Sequence, residues 1–254
     1  MERGSYTAAS GGFYQMRKLE VVNNNLANVN TAGFKKQMLV GDVQTFDQTL
    51  ASAVAKNDPY AKKDHERSPG VMNVRTATDF TPGPIKNTGN PLDAALRHPN
   101  DFFVVETADG EQYTRAGNFT LNEGGDLVTQ DGSRVLGDGG PISVNGANVT
   151  ITPDGGVRAN GNAAGRLRVV RFEDPSTLER TGDTRFKLGA GQAAPTQVDA
   201  EVEPEALEMS NVTAVSSMID LITANRAFDM YTRSARSIDE MNQMAIGQVG
   251  RRRG

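Results

Sequence analysis

From Tyr6 onward, apolar side chains return every three or four residues: Tyr6, Ala9, Phe13, Met16, Leu19, Val22, Leu26 and Val29. That spacing predicts an amphipathic N-terminal helix with one apolar stripe. The stripe ends among Asn28, Asn30, Thr31 and Gly33, residues that accept turn geometry and left-handed backbone. Lys35 and Lys36 follow, placed to face the negative end of the helix. A longer pattern closes the chain. Leu221, Ala224, Phe228, Tyr231, Ala235, Ile238, Asn242, Ala245 and Val249 alternate spacings of three and four, which is a heptad seam. Ser210 or Asn211 is the predicted N-cap, and neither Gly nor Pro interrupts Val212–Ile246. Val215, Ile219 and Ile222 form a second stripe beside the seam. At ~1.5 Å per residue, the roughly 38 residues from Val212 to Val249 would span about 57 Å. Such a helix needs a partner for its seam, and the N-terminal helix is the obvious one. Ala224, Ala235 and Ala245 allow close approach, while Met218, Met230, Met241 and Met244 offer adaptable contact surface.

Between these ends the period changes from helical to β. Phe102–Val105, Tyr113–Arg115, Phe119–Leu121, Leu127–Thr129, Val149–Thr152 and Leu167–Phe172 read as short strands separated by Asp-Gly and Gly-Gly turns. An internal echo, Thr107-Ala-Asp-Gly110, Thr129-Gln-Asp-Gly132 and Thr152-Pro-Asp-Gly155, recurs at spacings of 22 and 23 residues. It predicts successive hairpins of one antiparallel sheet or small barrel. Residues 37–90, broken by Pro59, Pro69, Pro82 and Pro84, read as a connector with short strands and a helix near Val43–Ala55. The charge-dense Lys56–Arg67 stretch is expected to be a mobile surface loop. The expected fold is therefore α+β: terminal helices paired as a coiled-coil-like arm, with a central antiparallel β-rich domain. Its divisions are residues 1–35, the N-terminal helix; 36–90, the connector; 91–190, the β-rich domain; 191–209, a return connector; and 210–254, the C-terminal helix.

Composition narrows the function classes. The chain has 254 residues, enough for a sizeable core. Its 27 basic and 31 acidic residues give a net charge of −4, without the clustered basic face that nucleic-acid binding requires. Arg251–Arg253 reads as a solvated tail. With no cysteine, disulfides, thiolate metal sites and a cysteine nucleophile are excluded. Neither a cleaved secretion signal nor a membrane-spanning run is expected, because no apolar stretch has the required character.

Candidate chemistry is sparse. His65 and His98 are isolated, so no zinc site is expected. The Asp-Gly loops lack the alternating ligands of calcium-binding loops and are explained by turn formation. No nucleophile elbow, phosphate loop or dinucleotide fingerprint occurs. Asp93, Asp101 and Glu106 are the acids nearest to a paired arrangement, and nothing in their spacing favours one. No catalytic residue, cofactor or metal is expected. A secreted β-rich glycan- or peptidoglycan-binding module would account for the hairpins, but it leaves the long C-terminal seam without a purpose.

Several motifs carry a family resemblance. Tyr6-Thr-Ala-Ala-Ser-Gly11 and the run from Leu19 through Asn24–Phe34 to Lys35 resemble the N-terminal signature of the flagellar axial proteins that build rod and hook. Pro91-Leu-Asp-Ala-Ala-Leu96, Phe102-Phe103 and Tyr113-Thr-Arg-Ala-Gly-Asn-Phe119 resemble the opening of that family's β-domain. Leu207-Glu-Met-Ser-Asn-Val212 and Asn225-Arg-Ala-Phe228 resemble its C-terminal helix. Arg134–Gly137, Gly139–Ile142 and Gly165–Val170 are most similar to the proximal-rod type, with the distal-rod type second on the strength of Thr88–Asp93. One departure is Arg97-His-Pro-Asn-Asp101, where the family has a Gly-Asp-Gly turn.

The resemblance implies a structural rod subunit, exported without a cleaved signal through the flagellar type III apparatus into the periplasmic basal body. Its implied partners are copies of itself, other rod proteins and the export apparatus, without nucleic acid and without membrane insertion. The terminal helices would form the inner tube wall and remain largely disordered until neighbours cover them. The residues expected to carry assembly are Phe13; Asn24, Asn25, Asn28 and Asn30, fixing the helix end; Leu26 and Val29, packing it; and Leu221, Phe228, Tyr231 and Ile238 in the C-terminal seam.

Overall fold

The structure, a computed structural model, describes residues 2–45, 69–144, 146 and 148–251. The side chains of Tyr6, Ala245 and Val249, the loop 56–67 with His65, and Arg252–Arg253 lie outside the described set. Two compact units are present, and each is treated by itself. The first holds residues 1–26, 37–77 and 214–254; the second holds 27–36 and 78–213.

In the first unit the N-terminal helix spans Glu2–Ala27 and the C-terminal helix Ala214–Arg251. Strands β1 (Gln37–Thr45) and β2 (Pro69–Thr78) form a two-stranded sheet. The predicted helix at Val43–Ala55 is therefore corrected for its described part: Val43–Thr45 completes β1, where the β-branched Val40, Val43 and Thr45 favour extended backbone. The C-terminal helix begins at Ala214 rather than directly after Ser210 or Asn211. Both predicted caps are otherwise engaged, for Ser210 Oγ accepts the Val212 N–H and Asn211 binds two other segments, at Lys36 and at Asp79–Thr81. No helix of the described residues is long and apolar enough to cross a membrane.

The second unit is antiparallel β. In chain order its strands are β3 (Ile85–Asn87), β4 (Ala94–Leu96), β5 (Asp101–Thr107), β6 (Gly110–Thr114), β7 (Thr120–Leu121), β8 (Leu127–Val128), β9 (Arg134–Gly137) and β10 (Gly140–Pro141). There follow β11 (Val149–Ile151), β12 (Gly156–Ala159), β13 (Asn162–Arg166), β14 (Val169–Arg171), β15 (Leu178–Arg180), β16 (Arg185–Leu188), β17 (Thr196–Val198), β18 (Val202–Pro204) and β19 (Ala206–Glu208). The main sheet runs β15-β16-β6-β5-β9-β8-β7, with β14 beside β5. Strand β5 is central, and this explains its unbroken apolar run. Phe103 and Val105 face one core cluster with Phe119, Leu127, Val135 and Leu167. Phe102 and Val104 face the other, where Phe102 meets Phe172 edge-on at 5.5 Å and Phe186 at 6.0 Å.

The repeated Thr-x-Asp-Gly segments all form turns, of which the second and third are alike while the first closes the two-residue β5–β6 hairpin at Gly110. In each, the threonine hydroxyl donates back to a carbonyl: Thr107 to Gly110, Thr129 to Ser133 and Thr152 to Gly156. They do not belong to one sheet, however. The third joins β11 to β12 in a separate three-stranded sheet, whose Val149, Ile151 and Val157 are part of the first core cluster. The stretch 191–209, expected to be a return connector, supplies β17, β18 and β19; β18 pairs with β4 and β19 with β3.

Candidate assembly interface

The helices of the first unit meet through small residues. Burial along the N-terminal helix recurs at Ala8, Gly11, Val22 and Asn25, with Gln15 and Lys18 half-buried between them. The apolar stripe expected to face inward is instead partly free: Phe13 is 65% exposed, and Met16 and Ala9 are also exposed. The choice follows from packing distance. A Cβ on Gly11 would lie 2.3 Å from the Tyr231 ring, so glycine is what lets that ring lie on the helix backbone.

On the C-terminal helix the predicted seam does face inward. Ala224 is 1% exposed, Leu221, Phe228, Ala235, Ile238 and Asn242 are half-buried, and Tyr231 lies at Gly11. The stripe expected beside this seam lies roughly opposite it at 3.6 residues per turn. Val215 (72% exposed), Met218, Ile219, Ile222, Met230, Met241 and Met244 all project outward. One unit thus pairs its own helices by one face, and among the described residues two apolar stripes are exposed.

The asparagine cluster is more than a helix stop. Asn25, on the last turn of the helix, donates Nδ2 to the Gln37 carbonyl and accepts the Gln37 N–H, each at 2.8 Å. It therefore acts as a peptide mimic that docks the start of β1. Asn28 Oδ1 accepts the Thr31 hydroxyl at 3.0 Å, and Asn28 O accepts the Thr31 N–H, forming the turn. Asn24, Leu26 and Val29 are half-buried, and Asn30 is exposed.

Within the second unit, three of the sequence motifs converge in one buried ionic cluster that sequence reasoning missed. Lys35 was expected to face the helix end. It is instead 1% exposed, donating to Glu208 Oε1 at 2.6 Å and to the Thr81 carbonyl at 2.8 Å. Arg115 donates Nε to Glu208 Oε2 at 2.7 Å, joins it again through Nη2, and gives Nη1 to the carbonyls of His98 and Asp101. Glu208 also accepts the Gly83 N–H, and its own carbonyl accepts the Gly33 N–H. Burial by itself would raise the Glu208 pKa, but Arg115, Lys35 and these hydrogen bonds outweigh it and hold the carboxyl below its ordinary range. Burial likewise lowers Lys35 despite its pairing. Next to them, Arg180 lies between the rings of Phe34 (4.8 Å) and Phe186 (5.1 Å) and donates to the Lys35 carbonyl. Burial brings its guanidinium down to about 10. Asn211 accepts the Lys36 N–H at 2.7 Å and donates to the Asp79 and Thr81 carbonyls. The signal available in the sequence was a charge inside each motif of small and apolar residues: Lys35 after Gly33-Phe34, Arg115 before Ala116-Gly117, and Glu208 after Ala206-Leu207.

The acids nearest to a catalytic pairing are structural. Asp93 accepts from Thr88 and Asn90, Asp101 is bound twice by Arg171, and Glu106 lies 3.6 Å from Arg134. His98 lies 3.4 Å from Glu201.

Comparison with known proteins agrees with this layout. Residues 6–35 match the family described as flagella basal body rod protein. Residues 99–159 match the flagellar hook protein FlgE/F/G D1 domain, and residues 203–247 the C-terminal region of the flagellar basal body rod FlgEFG proteins. The chain is 34% identical to flagellar basal-body rod protein FlgF of Caulobacter vibrioides over 99% of both chains. It is 30% identical to flagellar hook-basal body complex protein FlhO of Bacillus subtilis, covering 99% of this chain and 100% of the relative. It is 34% identical to flagellar basal-body rod protein FlgG of Agrobacterium fabrum, covering 92% of this chain and 94% of the relative.

Proposed function

The chain belongs to the flagellar basal-body rod protein family, and on that premise we propose that it polymerises through the two outward apolar stripes of its helical unit. It is a structural subunit of the basal-body rod, of the proximal-rod type. The observation that carries the assembly reading is the opposition of faces on one helix. The seam of Leu221, Phe228 and Ile238 is half-buried in its own unit, with the Tyr231 ring against Gly11, whereas Val215, Ile219, Ile222 and Met230 are exposed. Burying such side chains stabilises an assembly by about 1.5–3 kcal/mol each, so a handful suffices to hold a subunit in a stack. Phe13 and Met16 supply the matching contact on the N-terminal helix. Asn25 sets where that helix ends, and Leu26 and Val29 pack its end.

The same reading includes delivery through the flagellar type III export apparatus without a cleaved signal, and residence in the periplasmic part of the basal body. Its partners are copies of the chain and neighbouring rod proteins. A chain without cysteines reaches such a site without an oxidative step. The direct test is the pair Ile219→Asp with Ile222→Asp in the cell, followed by immunoblotting of purified basal bodies. The doubly substituted protein is expected in the cell but absent from basal bodies. Incorporation at the native level would refute assembly through this face.

A further inference from the structure

The Lys35–Glu208–Arg115 cluster joins residues far apart in sequence, by 173 positions in one arm and 93 in the other. Lys35 and Arg115 are both 1% exposed on their side chains, and among the described residues Glu208 is the only carboxylate in ion-pair contact with either. The nearby Asp101 carboxylate is bound by Arg171, and it is the Asp101 backbone carbonyl that serves Arg115. Two buried cations therefore depend on one anion, and that anion comes from the last strand of the unit. The ladder has the same dependence. Strand β3 pairs with β19 and β4 with β18, the Gly33 and Gly83 amides both donate to Glu208, and the Met209 amide donates to the Pro84 carbonyl.

We propose that Glu208 is a closing latch: residues 27–36 and the corner around Leu96–Asp101 reach their native state only when residues 202–211 arrive. The physical reason is that a desolvated cation without a partner is strongly unfavourable, so neither Lys35 nor Arg115 is buried before its carboxylate is present. A chain appearing N-terminus first, from a ribosome or from an export channel, thus keeps both corners open until nearly all of it has emerged. Residue 35 lies eight positions after the N-terminal helix ends at Ala27, and residue 208 six before the C-terminal helix begins at Ala214. The folding claim stands on the cluster alone and does not require the assembly reading.

Pulse-labelled hydrogen exchange during refolding of the full chain tests it. The amides of Gly33, Gly83 and Met209 report the latch, and those of Ala94, Arg97 and Asp101 report the corner. Both sets are expected to gain protection in one kinetic phase, and Glu208→Gln is expected to slow that phase roughly tenfold or more. Adding Lys35→Met to Glu208→Gln removes one uncompensated cation and should recover part of the lost rate. Corner amides protected in a separate, faster phase of the unsubstituted chain would overturn the proposal, whether or not the variants fold. So would a Glu208→Gln chain that folds at the original rate, or a double variant that recovers nothing.

Discussion

Replacing Gly33 with alanine separates two effects that a glycine can have. Its φ is +70°, so an alanine there takes the left-handed conformation, at about 1–2 kcal/mol. The added Cβ would also lie 2.2 Å from the Ala116 nitrogen and 2.5 Å from the Arg115 carbonyl carbon. These are backbone atoms of the segment that carries the buried guanidinium, so no side-chain rotation relieves the overlap. Overpacking of this kind costs ~1–3 kcal/mol, and the shift it forces weakens the Gly33 amide bond to Glu208. Gly89 provides an internal control, with φ +71° and nothing within 4 Å of its Cβ position. Gly89→Ala bears the conformational strain alone, and the unfolded-chain gain of a Gly→Ala change cancels between the two variants. Gly33→Ala is therefore expected to lose about 1–3 kcal/mol more than Gly89→Ala. The assay is native-state hydrogen exchange in urea at the β5 amides, which reports opening of the second unit specifically. Equal losses in the two variants would refute the close approach of the Gly33 segment to Arg115–Ala116.

Four further outcomes follow from the geometry. Gly11→Leu should displace Tyr231 and abolish incorporation into basal bodies, whereas Gly12→Ala, with only Tyr231 Cβ at 3.9 Å, should be tolerated; immunoblots of basal bodies compare the two. Arg180→Lys loses a planar contact with Phe34 and Phe186 and should reduce stability by ~1–2 kcal/mol in urea unfolding. Glu208 has a folded pKa below its unfolded value, so its contribution is present above the unfolded pKa of about 4.3 and is lost as pH falls through the folded one. Urea midpoints should fall over that acid window, and Glu208→Gln should remove this part of the slope. Phe228→Asp places a charge in the half-buried seam and should prevent incorporation while leaving exchange protection in β5 unchanged.

The helices and the central strands were legible because their periods are long and uninterrupted: nine positions of alternating three-and-four spacing, and the run Phe102–Val105 bounded by turns. Which face of each helix turns inward was only half legible. The spacing of the C-terminal seam matches the face that turns inward, although its residues pack within their own unit, and Gly11 and Asn25 outrank Phe13 and Met16 on the N-terminal helix. There, close backbone approach under Tyr231 and two main-chain hydrogen bonds to Gln37 decide the packing, and hydrophobicity scores neither. Of the buried ionic cluster only the lone charge inside each motif was legible; its pairing was not, since 173 residues separate the partners and an isolated Lys or Glu reads as surface. The third Thr-x-Asp-Gly turn was found, yet its sheet was not, because turn chemistry specifies a hairpin and not the sheet it joins.

The central claim, a structural rod subunit held by its helical unit, is tested most directly by electron microscopy of basal bodies isolated from cells that lack this chain. The account predicts rods that are missing or truncated near their base, together with loss of swimming. Complete rods on motile cells would contradict it.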